Sequence, residues 1–392
     1  MHPTQIISYY PNYALLDQIV SKGYKNLNLF IDLKNCAQSL YQKHCIDMLL
    51  ENSYKSNYID SSIFTSVLSF LSFHKLYAVK RKLNINVYIF FESGYSYYHT
   101  NLSKKYKVSR KIDDLYGLDH KQKEDFYSIV RNNYLLIEKV FNRVPHINVI
   151  RLENLEADFI PYYLIKNNMV NNINSANIIY SNDHDLKQTL LNKDCFIFSK
   201  AHKVKKIISK GEVMTAELKK ECDIPDEYLP FYMSIIGDNG DDVEGINGIG
   251  PMTFVKIFDQ LQATTGGMSN LYDNVFNENP IFNISSNQTS NLHLKKIIQA
   301  EETAKQISTN MKLVSFELLS RYLDNPRTTE MIQKKEQIIN CLNTPKVLKE
   351  PIIKALEMNR IFLESDDMEV LFYESDKEGL INDNSKQSGG YI

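Results

Sequence analysis

The sequence contains no tryptophan and no run of apolar residues long enough to cross a bilayer. Its opening, MHPTQIISYYPNY, lacks a charged region followed by an apolar core, so no secretion signal is expected. The five cysteines, Cys36, Cys45, Cys195, Cys222 and Cys341, are scattered without a C-x-x-C pair. That pattern excludes a zinc site and reads as reduced core thiols in a cytoplasmic protein. There is no P-loop, no Ser/His/Asp or Cys/His arrangement and no internal repeat. An excess of either charge is missing too: the formal net charge is −2, which does not by itself announce a nucleic-acid binder. What remains is an ordinary apolar fraction of 43% and a charged fraction of 23% in 392 residues. That length accommodates a sizeable core and two or three domains.

Chemistry is concentrated in a few places instead. Residues 234 to 258 read SIIGDNGDDVEGINGIGPMTFVKIF. Asp238, Asp241 and Asp242 follow an apolar segment, and then come Gly245, Gly248 and Gly250 in a turn with two isoleucines. Pro251 opens an amphipathic helix at a position where its missing N–H costs nothing. A helix, a glycine hairpin and a second helix form a phosphate cradle, because glycine lets a nucleic-acid backbone approach and the N–H groups at the helix start face it. A plain helix–turn–helix elbow is the alternative if the glycines are taken without the aspartates.

Four further carboxylate groups stand after short apolar runs that read as buried parallel strands. Asn26 to Leu33 carries Asp32, and Ile85 to Ser93 carries Glu92. Pro145 to Leu152 feeds Glu156 and Asp158, and Asn177 to Ser181 feeds Asp183 and Asp185. The C-terminal ends of such strands are where open α/β sheets place their sites, although an Asp there also serves as a helix cap. A fifth strand is expected from Asp194 to Ser199, and Ser61 to Leu83 is strongly helical in pattern. Between the second and third strands, residues 95 to 111 interleave aromatic and basic side chains, with Lys104, Lys105, Lys107, Arg110 and Lys111 inside eight residues. Single-strand binding by stacking and phosphate contact needs that mixture; a solvated face has the same composition. The basic stretch Lys200 to Lys210 reads equally as a duplex contact or a solvated hairpin.

G-D-N-G-D-D-V-E-G-I-N-G-I-G, from Gly237 to Gly250, closely resembles the G-D-x-x-D-N-I-x-G-V-x-G-I-G signature of the flap endonuclease / 5′–3′ exonuclease family. Ser181 to Gln188 is similar to that family's S-x-D-x-D-L-x-Q, and Glu156-Ala157-Asp158 to its acidic step after the third strand. His99, Tyr106, Lys107 and Arg110 spell a segment similar to the one that opens the family's helical arch. The resemblance covers roughly residues 26 to 325. There are departures. Glu92 stands where the family has Asp, Ser93 where it has Gly, and Phe159 where the bacterial form has a third acid.

The resemblance implies an α/β fold of PIN-like 5′-nuclease type, with a mostly parallel central sheet flanked by helices. Its parts would be an N-terminal extension at 1–25, a nuclease domain at 26–210 with an arch at about 95–145, and a helix-hairpin-helix region at 211–325. A helical segment with a last strand, MEVLFYES, would fill 326–375, and a polar tail 376–392. Asp32, Glu92, Glu156 and Asp158 would surround one Mg²⁺ and Asp183, Asp185 and Asp241 a second, with Asp238 acting through water; Mn²⁺ could substitute. Oxygen-only donors select such ions, and a pair of them activates water and stabilises a leaving oxygen. Lys107 and Arg110 would hold the scissile phosphate and Tyr106 would pack on the terminal base. Lys104, Lys105, Lys111, Gly245, Gly248 and Gly250 would contact the strands, with K⁺ at the hairpin. The implied substrates are flapped, nicked or free 5′ ends of DNA and the RNA of RNA–DNA hybrids, in replication or repair, beside a separate polymerase or single-strand-binding protein. Abundant Asn, Ile, Lys and Tyr suggest an AT-rich genome such as a phage's. The competing readings are a DNA-binding paralogue weakened at Glu92 and Phe159, and a single-strand ribonuclease of the PIN class.

Overall fold

The computed structural model describes residues 13–35, 49–50, 62–94, 96–108, 118–201, 204–282, 291–347, 349–358 and 372. Arg110 and Lys111, the polar tail and nearly all of the expected strand MEVLFYES lie outside the described residues.

Six strands make one sheet: β1 (Asn26–Asp32), β2 (Asn84–Ser93), β3 (Ile147–Glu153), β4 (Ser175–Tyr180), β5 (Cys195–Ala201) and β6 (Val204–Ser209). Their order is β3-β2-β1-β4-β5-β6. The first five run parallel, and β6 returns antiparallel on β5, so the basic stretch around Lys200 to Lys210 forms a hairpin at the sheet's edge. Every residue of β1 is buried, as a central parallel strand covered on both faces requires. Period-two alternation divides its side chains. Leu27, Leu29 and Ile31 enter one core with α1 (Tyr13–Val20), α2 (Ser62–Arg81) and α4 (His120–Phe141). Phe30 enters the other, with Tyr88, Phe90, Ile150 and α5 (Ile160–Lys166). Asp32 and Glu92 belong to that second face by the same parity, two residues beyond Phe30 and Phe90.

Within the expected N-terminal extension at 1–25, α1 buries Leu16 and Ile19 against the sheet. The long helix expected after residue 113 is α4, and it returns the chain to the sheet. α4 starts at a capping box between Asp119 and Gln122 and packs on α2 and β3, burying Phe126, Ile129, Ile137 and Phe141. The apolar stripe of its sequence is the reason.

Beyond β6 the chain is helical. A short α6 (Val213–Leu218) leads to α7 (Leu229–Ile236), which ends at Gly237 with φ +84°. A two-stranded ribbon, β7 (Gly237–Asp238) with β8 (Val243–Glu244), carries the chain into the glycine turn and α8 (Pro251–Thr265). α9 (Met268–Phe276), α10 (Leu292–Gln299), α11 (Glu301–Val314) and α12 (Phe316–Asp324) complete this region, with α11 laid along α7. The following α13 (Thr329–Leu342) returns to the sheet and lies against the outer strand β3, which covers an edge otherwise open to pairing. Lys346 pins that return by donating to the carbonyls of Asn142 at 2.9 Å and Ile147 at 2.6 Å. A last helix, α14 (Lys349–Met358), follows.

Candidate active site

The strand order turns back on itself between β1 and β4, and the crevice outside their C-terminal ends is where such sheets bind ligands. Asp32 closes β1 and is buried. Its Oδ1 accepts from the Asn35 amide at 2.9 Å and its Oδ2 from the Ser181 hydroxyl at 3.0 Å. The same hydroxyl accepts from the Asp183 amide at 3.0 Å, and Asp183 Oδ1 accepts from the Asp185 amide at 3.1 Å. A chain of short turns thus carries three carboxylates across the switch point, into a 3-10 helix, Asp185–Leu191. That helix is anchored from below by Lys187, which donates to Glu217 of α6 at 2.5 Å. His184, between the two aspartates, is largely exposed and lies 3.5 Å from the same Glu217.

Asp32, Glu92, Glu156, Asp158 and Asp183 line one polar cavity of about 190 Å³ together with Lys34 and Lys107. Next to it, carboxylate oxygens of Asp185, Asp238 and Asp241 lie within 4.8 Å of one another. The structure therefore draws together all eight carboxylates singled out from the sequence. Asp183 lines the cavity of the first four while its Oδ1 accepts from the Asp185 amide, and Asp238 lies with Asp185 and Asp241.

Electrostatics follow from this crowding. Burial pushes the Asp32 carboxyl up to about 7, with Glu92 and Asp183 adding to the rise. Burial, then Glu156, raises Asp158 well above the carboxylate range; burial, then Asp183, does the same to Asp185. Asp238 is raised by burial and by Asp241. Glu92 moves the other way: burial would raise it, but the Lys34 ammonium beside it more than offsets that and holds it below its usual range. Lys34 donates to Glu92 Oε1 at 2.5 Å. Its position was not picked out from the sequence, although a lysine two residues past the Asp at a strand end was a visible signal.

A divalent cation fits this set. The donors are oxygens only, and Asp185 Oδ1 is buried without a hydrogen-bond partner, which is costly unless something else satisfies it. Lys107 faces the same oxygens, forming ion pairs with Glu156 and, at 3.2 Å, with Asp241. Burial would lower its basicity, but Glu156 and Asp241 raise it further, so it stays charged.

Other expected residues take different places. The Tyr106 ring is buried, its hydroxyl 2.9 Å from both Glu156 Oε2 and Asp241 Oδ2, so it shows no free face for a base. Lys104 and Lys105 are exposed on the turn before it, and Lys105 pairs with Glu244 at 3.1 Å. Gly245 is demanded by the chain itself, since a Cβ there would lie 2.0 Å from the Ile236 carbonyl oxygen. Gly248 has φ +81°, a conformation glycine adopts freely. Gly250 differs: φ is −99° and a Cβ would meet nothing within 4 Å, so the space in front of the α8 N-terminus is open. Phe159, in place of an acid, is fully buried in the core. Two polar side chains hold the ribbon in place. Asn310 of α11 donates to the Ser234 carbonyl at 2.8 Å and the Glu244 carbonyl at 2.9 Å, and Gln306 donates to Glu244 as well.

The six-stranded, mostly parallel sheet with its flanking helices is a fold of flap endonuclease / 5′–3′ exonuclease type. The bacteriophage T5 protein co-crystallised with metal ions superposes with a TM-score of 0.52 at 15% identity, over 81% of this chain and 99% of that one. The bacteriophage T5 flap endonuclease solved with DNA and metal ions gives 0.51 at 14% identity, over 81% of this chain and all of the other. The T5 5′-exonuclease with bound zinc gives 0.50 at 14% identity with the same coverage. At such identity the likeness shows the fold. No family model matches the sequence, and no curated protein sequence does either.

Proposed function

We propose that this protein is a divalent-metal-dependent 5′–3′ exonuclease and structure-specific flap endonuclease. It would hydrolyse phosphodiesters near the 5′ ends of DNA, at flaps and nicks, and the RNA of RNA–DNA hybrids, in replication or repair. The observation that carries this reading is the convergence of eight carboxylates on one crevice, one of them with a buried oxygen that nothing in the chain satisfies. Asp32, Glu92, Glu156, Asp158 and Asp183 are assigned to one Mg²⁺ or Mn²⁺, and Asp185, Asp238 and Asp241 to another. Such ions supply a water made acidic enough to attack and a counter-charge for the leaving oxygen.

The chain's own groups do the rest. Lys107 lies at the mouth of the carboxylate set, where its ammonium can leave the carboxylates for a phosphate entering between them. The open N-terminus of α8, where Gly250 precedes Pro251, is assigned to a duplex phosphate, which the N–H groups just after Pro251 would meet. The T5 proteins with the same fold were solved with metal ions, and one of them with DNA, which supports the assignment.

The test is cleavage of 5′-flap duplex, single-stranded DNA and RNA–DNA hybrid, with Mg²⁺ and with EDTA. Metal-dependent release of short 5′ products from the flap duplex is expected. Equal cleavage in EDTA, or binding of flap duplex with no cleavage at any Mg²⁺ or Mn²⁺ concentration, would overturn the reading.

A further inference from the structure

The ring of Tyr106, on the turn after Leu102, has its packing partners already. Tyr106 is only 5% exposed and stacks on His99, with ring centres 4.8 Å apart and planes 16° from parallel. His99 is itself buried, its Nδ1 2.6 Å from the Ser96 hydroxyl. The backbone around the ring is fixed as well. The Tyr106 amide donates to the Ser103 carbonyl at 3.2 Å, and the Lys107 amide donates to the Asp241 carbonyl at 3.0 Å. To offer a face to a nucleobase, the ring would have to leave His99 and break both hydroxyl contacts.

We propose that Tyr106 is a positioning residue of the metal centre: its hydroxyl sets Glu156 and Asp241 against each other, joining the carboxylates of the β3–α5 connection to those of the ribbon. These two acids are 85 residues apart in the chain and belong to different halves of the crevice. Tyr106 and Lys107 each touch both of them. A phenol has one proton and cannot donate fully to two carboxylates at 2.9 Å. The Lys107 ammonium on the same pair adds further donors, so the four groups form one connected set. With a cation held by the carboxylates and Lys107 engaged by phosphate, the tyrosine hydroxyl would go on orienting Glu156 and Asp241. Groups that hydrogen-bond to metal ligands typically carry about 10- to 100-fold of metal affinity.

This inference rests on the nuclease reading, and the experiment separates the two. Tyr106→Phe keeps the ring and removes only the hydroxyl. Mn²⁺ binding without nucleic acid, followed by electron paramagnetic resonance of the free ion, is expected to weaken about 10- to 100-fold. Affinity for 5′-flap duplex in Ca²⁺ should stay at the wild-type value, and the cleavage rate should recover as Mn²⁺ is raised. Circular dichroism establishes that the variant is folded. A Mn²⁺ isotherm equal to wild type overturns the proposal, as does a Tyr106→Phe variant whose cleavage defect persists at saturating Mn²⁺. If the wild-type protein binds no Mn²⁺, the nuclease reading falls and takes this one with it. If Mn²⁺ binding is intact in Tyr106→Phe while Tyr106→Ala loses flap affinity, the ring packs on a base after all.

Discussion

Asp185 is the most exposed to test among single side chains, because its cost and its purpose oppose each other. A buried carboxylate oxygen without a partner destabilises the metal-free protein, and its neighbours Asp183 and Asp158 add repulsion. Asp185→Asn should therefore melt at the same or a higher temperature than wild type in EDTA, lose most of the stabilisation that Mg²⁺ confers, and cleave at least about a hundredfold more slowly. A variant that melts lower in EDTA and responds normally to Mg²⁺ would remove Asp185 from the metal set. Glu92 makes the complementary case. Its extra methylene carries the carboxylate to Lys34 at 2.5 Å. Glu92→Asp restores the residue usual in the resembling family but falls short of that lysine. The expected result is a higher Mg²⁺ requirement and a lower rate; an unchanged Mg²⁺ titration would mean that Glu92 does not ligate.

The ribbon between α7 and α8 is a support whose glycines do two jobs, and substitutions should tell them apart. A methyl group at Gly245 would sit 2.0 Å from one backbone atom and 2.4 Å from another, so Gly245→Ala must displace the ribbon. Overpacking of that kind costs roughly 1–3 kcal/mol, and here it would also shift Asp238 and Asp241. Lower melting temperature and weaker Mn²⁺ binding are expected together. Gly250→Ala meets nothing, so its melting temperature and Mn²⁺ affinity should match wild type. Its loss should appear as weaker duplex binding, in KM rather than kcat, since uniform binding is what it removes. Fluorescence anisotropy with a 5′-flap duplex, beside a thermal melt, reads both variants. Equal melting temperatures for the two would show that the ribbon tolerates a side chain at Gly245.

For the protein as a whole, the crowded crevice predicts how stability depends on pH and metal. Asp32 holds its proton up to about pH 7 in the folded state, whereas an unfolded Asp releases it near pH 4. The unfolded state thus ionises first as pH rises, and stability in EDTA is lost progressively between about pH 4 and pH 7. Asp158, Asp185 and Asp238 shift in the same direction and steepen the loss. A divalent cation favours the ionised forms, so Mg²⁺ should raise the melting temperature more at pH 8 than at pH 5. Differential scanning fluorimetry across that range checks it. A metal response independent of pH would mean that ions do not bind these carboxylates.

Much of this was legible along the chain because its signals are local. Apolar runs ending in Asp or Glu, an alternating Asp pair and a glycine turn before Pro251 each lie within about ten residues, and a parallel sheet brings the C-terminal ends of its strands to one edge. Those patterns carried the five parallel strands and the acidic groups at their ends, and set the Asp-rich run before the glycine turn among them; the ribbon itself they did not show. What they could not carry depends on packing between distant segments. Tyr106 reads as an exposed arch aromatic until Asp241, 135 positions away, meets its hydroxyl. Gly245 reads as a concession to DNA until the end of α7 is seen pressed against it. α4 and α13 become parts of the α/β body because their apolar faces find β3 and α2, a choice of partner that amphipathic periodicity demands without naming. A pattern shows that a face must be buried or a charge satisfied; which group does it is set by folding the whole chain.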